Sequence, residues 1–169
     1  FYFGNKPNEK GSEWNGFIKN EPLLVDENFF KQLTHQQINW GFVSGAEPPS
    51  AKFVLENRLG LQNPPLIAMG EAPDKPDPTG FLRLAHKLAG SELGVGVAPI
   101  AYLGDTVADV LTIKEARKTC PNQKFLSLAV APPHLQNHKD KKTRRRYEKA
   151  LQEAGADIIL QNTTEVLKL

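Results

Sequence analysis

Five short apolar runs alternate with stretches of helical period, and this alternation limits the chain to very few folds. The runs lie at residues 38–43, 65–69, 100–103, 125–130 and 156–160, each bounded by turn-forming residues. The intervening segments predict helices. Residues 26–36 carry Phe29, Phe30 and Leu33 at helical spacing behind Asp26, a favoured N-cap residue. Residues 48–59 open on Pro48 and Pro49, which the first helical turn allows, and stop at Gly60. Residues 79–88 gather Phe81, Leu82, Leu84, Ala85 and Leu88 on one face. Two further helices are expected at 106–118 and 141–154, and a last helical turn at 164–169. Short apolar strands separated by helices predict an α/β domain, a Rossmann-like parallel sheet flanked by helices.

Open parallel sheets bind ligands beyond the carboxyl ends of their strands. Three such ends carry reactive groups. Ser44 and Gly45 close the first run, and Lys75 stands in the loop after the second. That loop, residues 70–78, holds Pro73, Pro76 and Pro78, which make it extended and stiff. After the third run comes Gly104-Asp105-Thr106-Val107-Ala108-Asp109. A helix starting near Thr106 puts Asp109 in its first turn, close to Asp105. Two carboxylates at one sheet edge repel unless a cation lies between them, and Mg²⁺ suits hard oxygen ligands. A hydroxyl with the N–H groups after it, a fixed ammonium and a carboxylate pair together make a phosphate and Mg²⁺ site. Each member also has a plainer reading. Asp105 can be a helix cap, Asp109 a first-turn acid that suits the helix dipole, Ser44-Gly45 a turn and Lys75 a solvated lysine.

The joint pattern resembles a known family. Segment 38–45, the Gly-Glu-Ala-Pro-Asp-Lys-Pro-Asp-Pro loop and Gly-Asp-Thr-Val-Ala-Asp are similar to the second, third and fourth motifs of the haloacid dehalogenase (HAD) superfamily, in order and spacing, over residues 22–165. Within it the chain looks like subfamily I, and more narrowly like a small cyanobacterial and archaeal group. The resemblance implies a Mg²⁺-dependent phosphatase acting on a small phosphorylated metabolite. Ser44 and Gly45 would bind the phosphoryl group, Lys75 would steady nucleophile and phosphate, and Asp105 and Asp109 would serve the metal. The family's first motif, an apolar strand ending in Asp-x-Asp-Gly-Thr/Val, is missing. Its nearest imitation, Leu23 to Phe30, has no Gly-Thr after Asp26, and only 18 positions separate Asp26 from Ser44. Asp26 is therefore read as a cap. In the family the absent strand runs between those bearing Ser44 and Asp105. The expectation is a HAD-like core over residues 22–169 without its central first strand, preceded by a cap-and-linker arm over 1–21. The nucleophile would come from an upstream segment or a second chain, in a protein of roughly 250 residues. The alternative is a catalytically inactive HAD-like scaffold.

Composition sets the outer limits. The net charge of +2 is too mild to argue for nucleic acid by itself. A basic run between Lys139 and Lys149 reads first as a solvated helix face. His134 and His138 are spaced as a helical metal pair, but Pro132-Pro133 argues for a loop there. The single cysteine, Cys120, permits no internal disulfide and has no base beside it in sequence. No apolar run approaches the roughly 20 residues of a membrane span, and a cytoplasmic setting is expected.

Overall fold

The computed structural model describes residues 18–136 and 141–169. Most of the expected arm, residues 1–17, lies outside these, as do Lys139 and His138. Residues 18–21 are tied to the domain, because Arg58 donates to the carbonyls of Ile18 (2.8 Å) and Glu21 (2.5 Å). The elements run α1 (Glu27–His35), β1 (Phe42–Val43), α2 (Pro48–Lys52), β2 (Leu66–Ile67), α3 (Thr79–Ala89), β3 (Ile100–Gly104), α4 (Val107–Thr119), β4 (Phe125–Val130), α5 (Pro133–Gln136), α6 (Lys141–Ala154) and β5 (Ile158–Leu160). A 3₁₀ turn, Thr163–Lys168, follows. All strand pairs are parallel, so the expected α/β architecture is present.

The strands form two sheets where the sequence suggests one: β1-β2, and β3-β4-β5. The first two strands are also shorter than their apolar runs. Residues 36–38 are spent closing α1, where Gln37 takes a positive φ of 60° and Ile38 donates to the Leu33 carbonyl at 2.9 Å. Asn39 then reaches the Leu88 carbonyl, and strand pairing begins at Phe42. The expected helix 48–59 is α-helical only to Lys52. Phe53–Arg58 winds more widely, as a π-helix, and Leu59 donates to the Val54 carbonyl five residues back. Beyond β4, the stretch expected to be loop forms the single turn α5, with Pro133 at its first position.

Phe42 donates to Pro65 O and Ser44 to Ile67 O, both at 2.8 Å. These residues therefore face β2, and Val43 between them points its peptide groups the other way. Likewise Ile100 donates to Lys124 O at 3.0 Å, so Ile100, Tyr102 and Gly104 face β4. Ala101 and Leu103 then point their peptide groups away from it. Among the described residues no strand pairs with either of these outer edges. The two sheets share a roof. α3 packs on β1, β2 and α4, and Val43, Ile100 and Tyr102 meet in one cluster around Phe81, Ile113 and Phe125. Val43 is the side chain through which the first sheet reaches this cluster. Gly80 lets α3 approach, for a Cβ there would lie 3.1 Å from Ala72 Cβ and 3.3 Å from an Ile67 methyl. α4 and α6 cover the three-stranded sheet through Val110, Ala129 and Leu151. A second cluster, Phe29, Phe30, Leu33, Leu55, Leu59 and Leu61, joins α1 to the wide helical segment.

Candidate functional site

β3 ends where Gly104-Asp105 turns into α4. Thr106 caps that helix: its hydroxyl accepts from Asp109 N at 3.2 Å. The Asp109 carboxylate returns the bond. Its Oδ2 accepts from Thr106 N at 3.0 Å and from Thr106 Oγ1 at 2.6 Å. This is a capping box with Asp in place of the usual Glu or Gln. Thr106, and not Asp105, is thus the cap. Asp109 Oδ1 accepts from Lys75 Nζ at 2.6 Å and from the Tyr102 hydroxyl at 3.1 Å. The ion pair joins the loop after β2 to the helix after β3, bringing the carboxyl ends of the two sheets together.

Ser44, Gly45 and Lys75 line one pocket with Val43, Ala72 and Asp74. Ser44 Oγ accepts from Ala46 N at 3.1 Å, which leaves its own proton free to donate into that pocket. The loop carrying Lys75 is pinned at several points. Glu71 Oε2 accepts from Ala68 N at 2.7 Å, Arg83 donates to the Glu71 carbonyl at 2.6 Å, and Asp77 accepts from Thr79 N at 2.9 Å. The Thr79 hydroxyl, and after it this backbone bond, hold the Asp77 carboxyl below the usual carboxylate range. Ser44, Lys75, Asp105 and Asp109 therefore stand at the carboxyl ends of the two sheets, with Lys75 as the link between the Ser44 pocket and Asp109.

The two carboxylates have opposite surroundings. Burial alone pushes the Asp109 carboxyl up, but the bonds from Lys75 and Thr106 outweigh it and hold the group below its ordinary value. For Asp105, burial and then the Asp109 charge push the carboxyl up, and its own backbone N–H, then Lys75 and His134, oppose them less strongly. The Asp105 side chain accepts no hydrogen bond from any other described residue, whereas its peptide carbonyl accepts from Tyr147 at 2.7 Å. A carboxyl raised in the folded state opposes folding wherever it is ionised there, and the penalty vanishes below the unfolded value of about 3.9. Asp105→Asn is therefore expected to raise the melting temperature of the protein in EDTA at pH 7 and to leave it unchanged near pH 3, as read by calorimetry.

Two tyrosines complete the site and escape a reading of the sequence alone. Tyr102 sits in the apolar run of β3, and a buried phenol needs a partner for its hydroxyl, which is a signal of sorts. Burial, then Asp109, pushes its phenol up. Tyr147 lies in the basic helix α6, 42 residues from the carbonyl it holds, and nothing local marks it. Most of the other residues weighed from sequence take structural places. Asp26 caps α1 through a 3.1 Å bond from Phe29 N. Cys120 closes α4 and packs against the Phe81–Ile113 cluster. Arg144 of the basic run is held by Glu148 and Gln161, and Lys149 pairs with Glu153. His134, exposed on α5, is close enough to Asp105 to act on its charge.

A family model described as haloacid dehalogenase-like hydrolase matches residues 20–117, 98 of the chain's 169 residues. The chain belongs to the haloacid dehalogenase-like hydrolase family. No curated protein and no solved structure matches it. The span matched to this HAD-like family contains Ser44, Gly45, Lys75, Asp105 and Asp109 together with Tyr102. It stops within α4, so Tyr147 and His134 lie beyond it. Among the described residues, no helix is long and apolar enough to cross a membrane.

Proposed function

We propose that this HAD-like hydrolase is a Mg²⁺-dependent phosphatase of a small phosphorylated metabolite, acting through an aspartyl-phosphate on an Asp upstream of this chain. The observation that carries the reading is the 2.6 Å Lys75–Asp109 pair, which joins the loop after β2 to the helix after β3 beside two strand edges that no strand among the described residues pairs. One further parallel strand would use the outward peptide groups of Val43 on one side and of Ala101 and Leu103 on the other. Its carboxyl end would then lie at the crevice with Ser44, Lys75 and Asp105.

The donors fit a hard divalent cation. Asp105 offers a carboxylate whose oxygens accept from no other described residue, and the Asp109 charge beside it is repulsion that a cation relieves. The described residues contain no cluster of three or more acidic, histidine or cysteine ligands. Water, a substrate phosphoryl oxygen and the carboxylate of the added strand would complete the shell, as is usual for Mg²⁺. When bound, the ion supplies charge neutralisation at the phosphoryl group. The chain's own groups do the remaining work. Ser44 would donate its hydroxyl proton, and Gly45 its backbone N–H, to the phosphoryl oxygens, while Ala46 N holds the Ser44 Oγ. Lys75 stabilises the charge that builds there. The Asp oxygen attacks phosphorus, the O–P bond forms, and the ester P–O bond breaks with its electron pair leaving on the alcohol oxygen, which takes up a proton. Water then attacks phosphorus, the acyl-phosphate bond breaks, orthophosphate leaves and the carboxylate is restored.

The test is phosphate release by the full-length native protein over a panel of small phosphate esters. Turnover is expected with Mg²⁺, loss of it in EDTA, and recovery on adding Mg²⁺ back. No release from any ester by protein shown to bind the metal would favour the non-catalytic scaffold instead.

A further inference from the structure

We propose that the outer face of α6 docks on the phosphate backbone of duplex DNA, as a site separate from the crevice. One side of this helix is spent on the core. Leu151 is buried there with Tyr147 and Ala154 beside it, and Tyr147 holds the Asp105 carbonyl. At about 100° per residue, Lys142, Arg145, Arg146 and Lys149 share the opposite side, and all four are exposed. Lys141, Thr143, Ala150 and Gln152 are exposed as well, so about half of the circumference faces solvent and α6 stands out as a ridge. The helix carries six cations and two acids, a net +4, in a chain whose total is +2, so the other residues sum to −2. This local excess has a cost. No acid stands in the first turn, where Lys141 and Lys142 oppose the helix dipole. Lys142 and Lys149 each lie three or four places from both arginines, a spacing at which like charges repel. Glu148 answers Arg144 at 2.6 Å beside the core, and Lys149 meets Glu153 only at 3.4 Å in an exposed pair. Lys141, Arg145 and Arg146 form no ion pair with any described residue. A polyanion on this face relieves the repulsion.

The shape of the ridge selects which polyanion. Arg145 and Arg146 diverge by about 100°, one to each flank of the crest formed by Lys142 and Lys149. A convex ridge charged on its crest and both flanks fits a groove with anionic rims. The major groove of B-DNA, about 12 Å wide, admits an α-helix and has phosphates along both rims. A flat lipid surface would meet the crest alone, and the exposed face offers no apolar side chain larger than Ala150 for insertion. Single strands are held by stacking on aromatic rings, and the one aromatic of α6, Tyr147, is turned inward. With no group placed to read base edges singled out, the contact is to phosphate and independent of sequence.

The test is fluorescence anisotropy of a labelled mixed-sequence DNA duplex, titrated with the full-length native protein at several salt concentrations. Four phosphate contacts predict a slope of log affinity against log salt of about −3.5, and so a loss of roughly 100-fold between about 50 and 200 mM NaCl. Arg145→Gln with Arg146→Gln is expected to bring the slope to about −2 and to weaken binding at every salt concentration. Lys52→Gln with Lys87→Gln removes the same charge from exposed positions on α2 and α3, and is expected to leave the slope unchanged. No binding at low salt, an unchanged slope in the arginine variant, or an equal loss in the control variant would overturn the proposal. Tighter binding to a single strand of the same sequence, to phosphatidylserine vesicles or to polyglutamate would overturn it in favour of that partner. The assay reads binding without turnover, so its outcome is independent of the phosphatase reading.

Discussion

Lys75→Met is expected to lower kcat for phosphate release by about 10²–10³-fold, the scale seen when one preorganised donor to a developing charge is removed. The ammonium reaches the crevice from a loop stiffened by three prolines and fixed through Glu71, Arg83 and Thr79. Its position is set by a 2.6 Å contact with a buried carboxylate. Its charge is thus held where the phosphoryl group would lie, at no cost of reorganisation during the reaction. Lys75→Arg should not restore the rate. The guanidinium is longer and planar, and a site shaped around a point charge cannot use its fork. Steady-state phosphate release at saturating Mg²⁺ checks both variants.

Gly104→Ala is expected to destabilise the protein by about 3 kcal/mol, at the upper end of what overpacking costs. For a chain of this length that corresponds to a fall in melting temperature of roughly 6–12 °C. A Cβ on Gly104 would stand 2.5 Å from Asp109 Cγ and 2.7 Å from its Oδ2. Asp109 cannot move aside, because four hydrogen bonds hold it and one pair of them caps α4. The same substitution should therefore remove phosphate binding along with stability. Gly45→Ala is the control: nothing lies within 4 Å of a Cβ there, and a change within about 0.5 kcal/mol is expected.

What the sequence reveals of this architecture follows how local each determinant is. The turn into α4 is written in consecutive residues: an apolar run, then Gly-Asp-Thr, then an acid three places after the threonine that caps the helix. Helix α6 and strand β4 appear at their expected bounds for the same reason. The start of β1 is not legible. Ile38 and Trp40 look like strand residues, yet the backbone bond from Ile38 to Leu33 ends the preceding helix, and a strand extends only as far as its partner pairs. The division into two sheets is non-local throughout, because periodicity shows which segments are strands and not which of them are neighbours. At the site, residue types and sheet-edge positions point to Ser44, Lys75, Asp105 and Asp109. The unlike surroundings of the two carboxylates come from Tyr102 and from Lys75, which lies 34 positions before Asp109. No spacing rule reports that.

In the proposed reaction this crevice, closed by a carboxylate on one more strand, would transfer a phosphoryl group with the help of Mg²⁺. Rapid acid quench of the full-length protein during turnover of a phosphate ester, followed by peptide mass mapping, tests it most directly. A Mg²⁺-dependent phosphoryl adduct is expected on an Asp upstream of this chain, absent in EDTA and greatly diminished in Lys75→Met. An adduct on Asp105 or Asp109, or turnover with no adduct on any carboxylate, would contradict it.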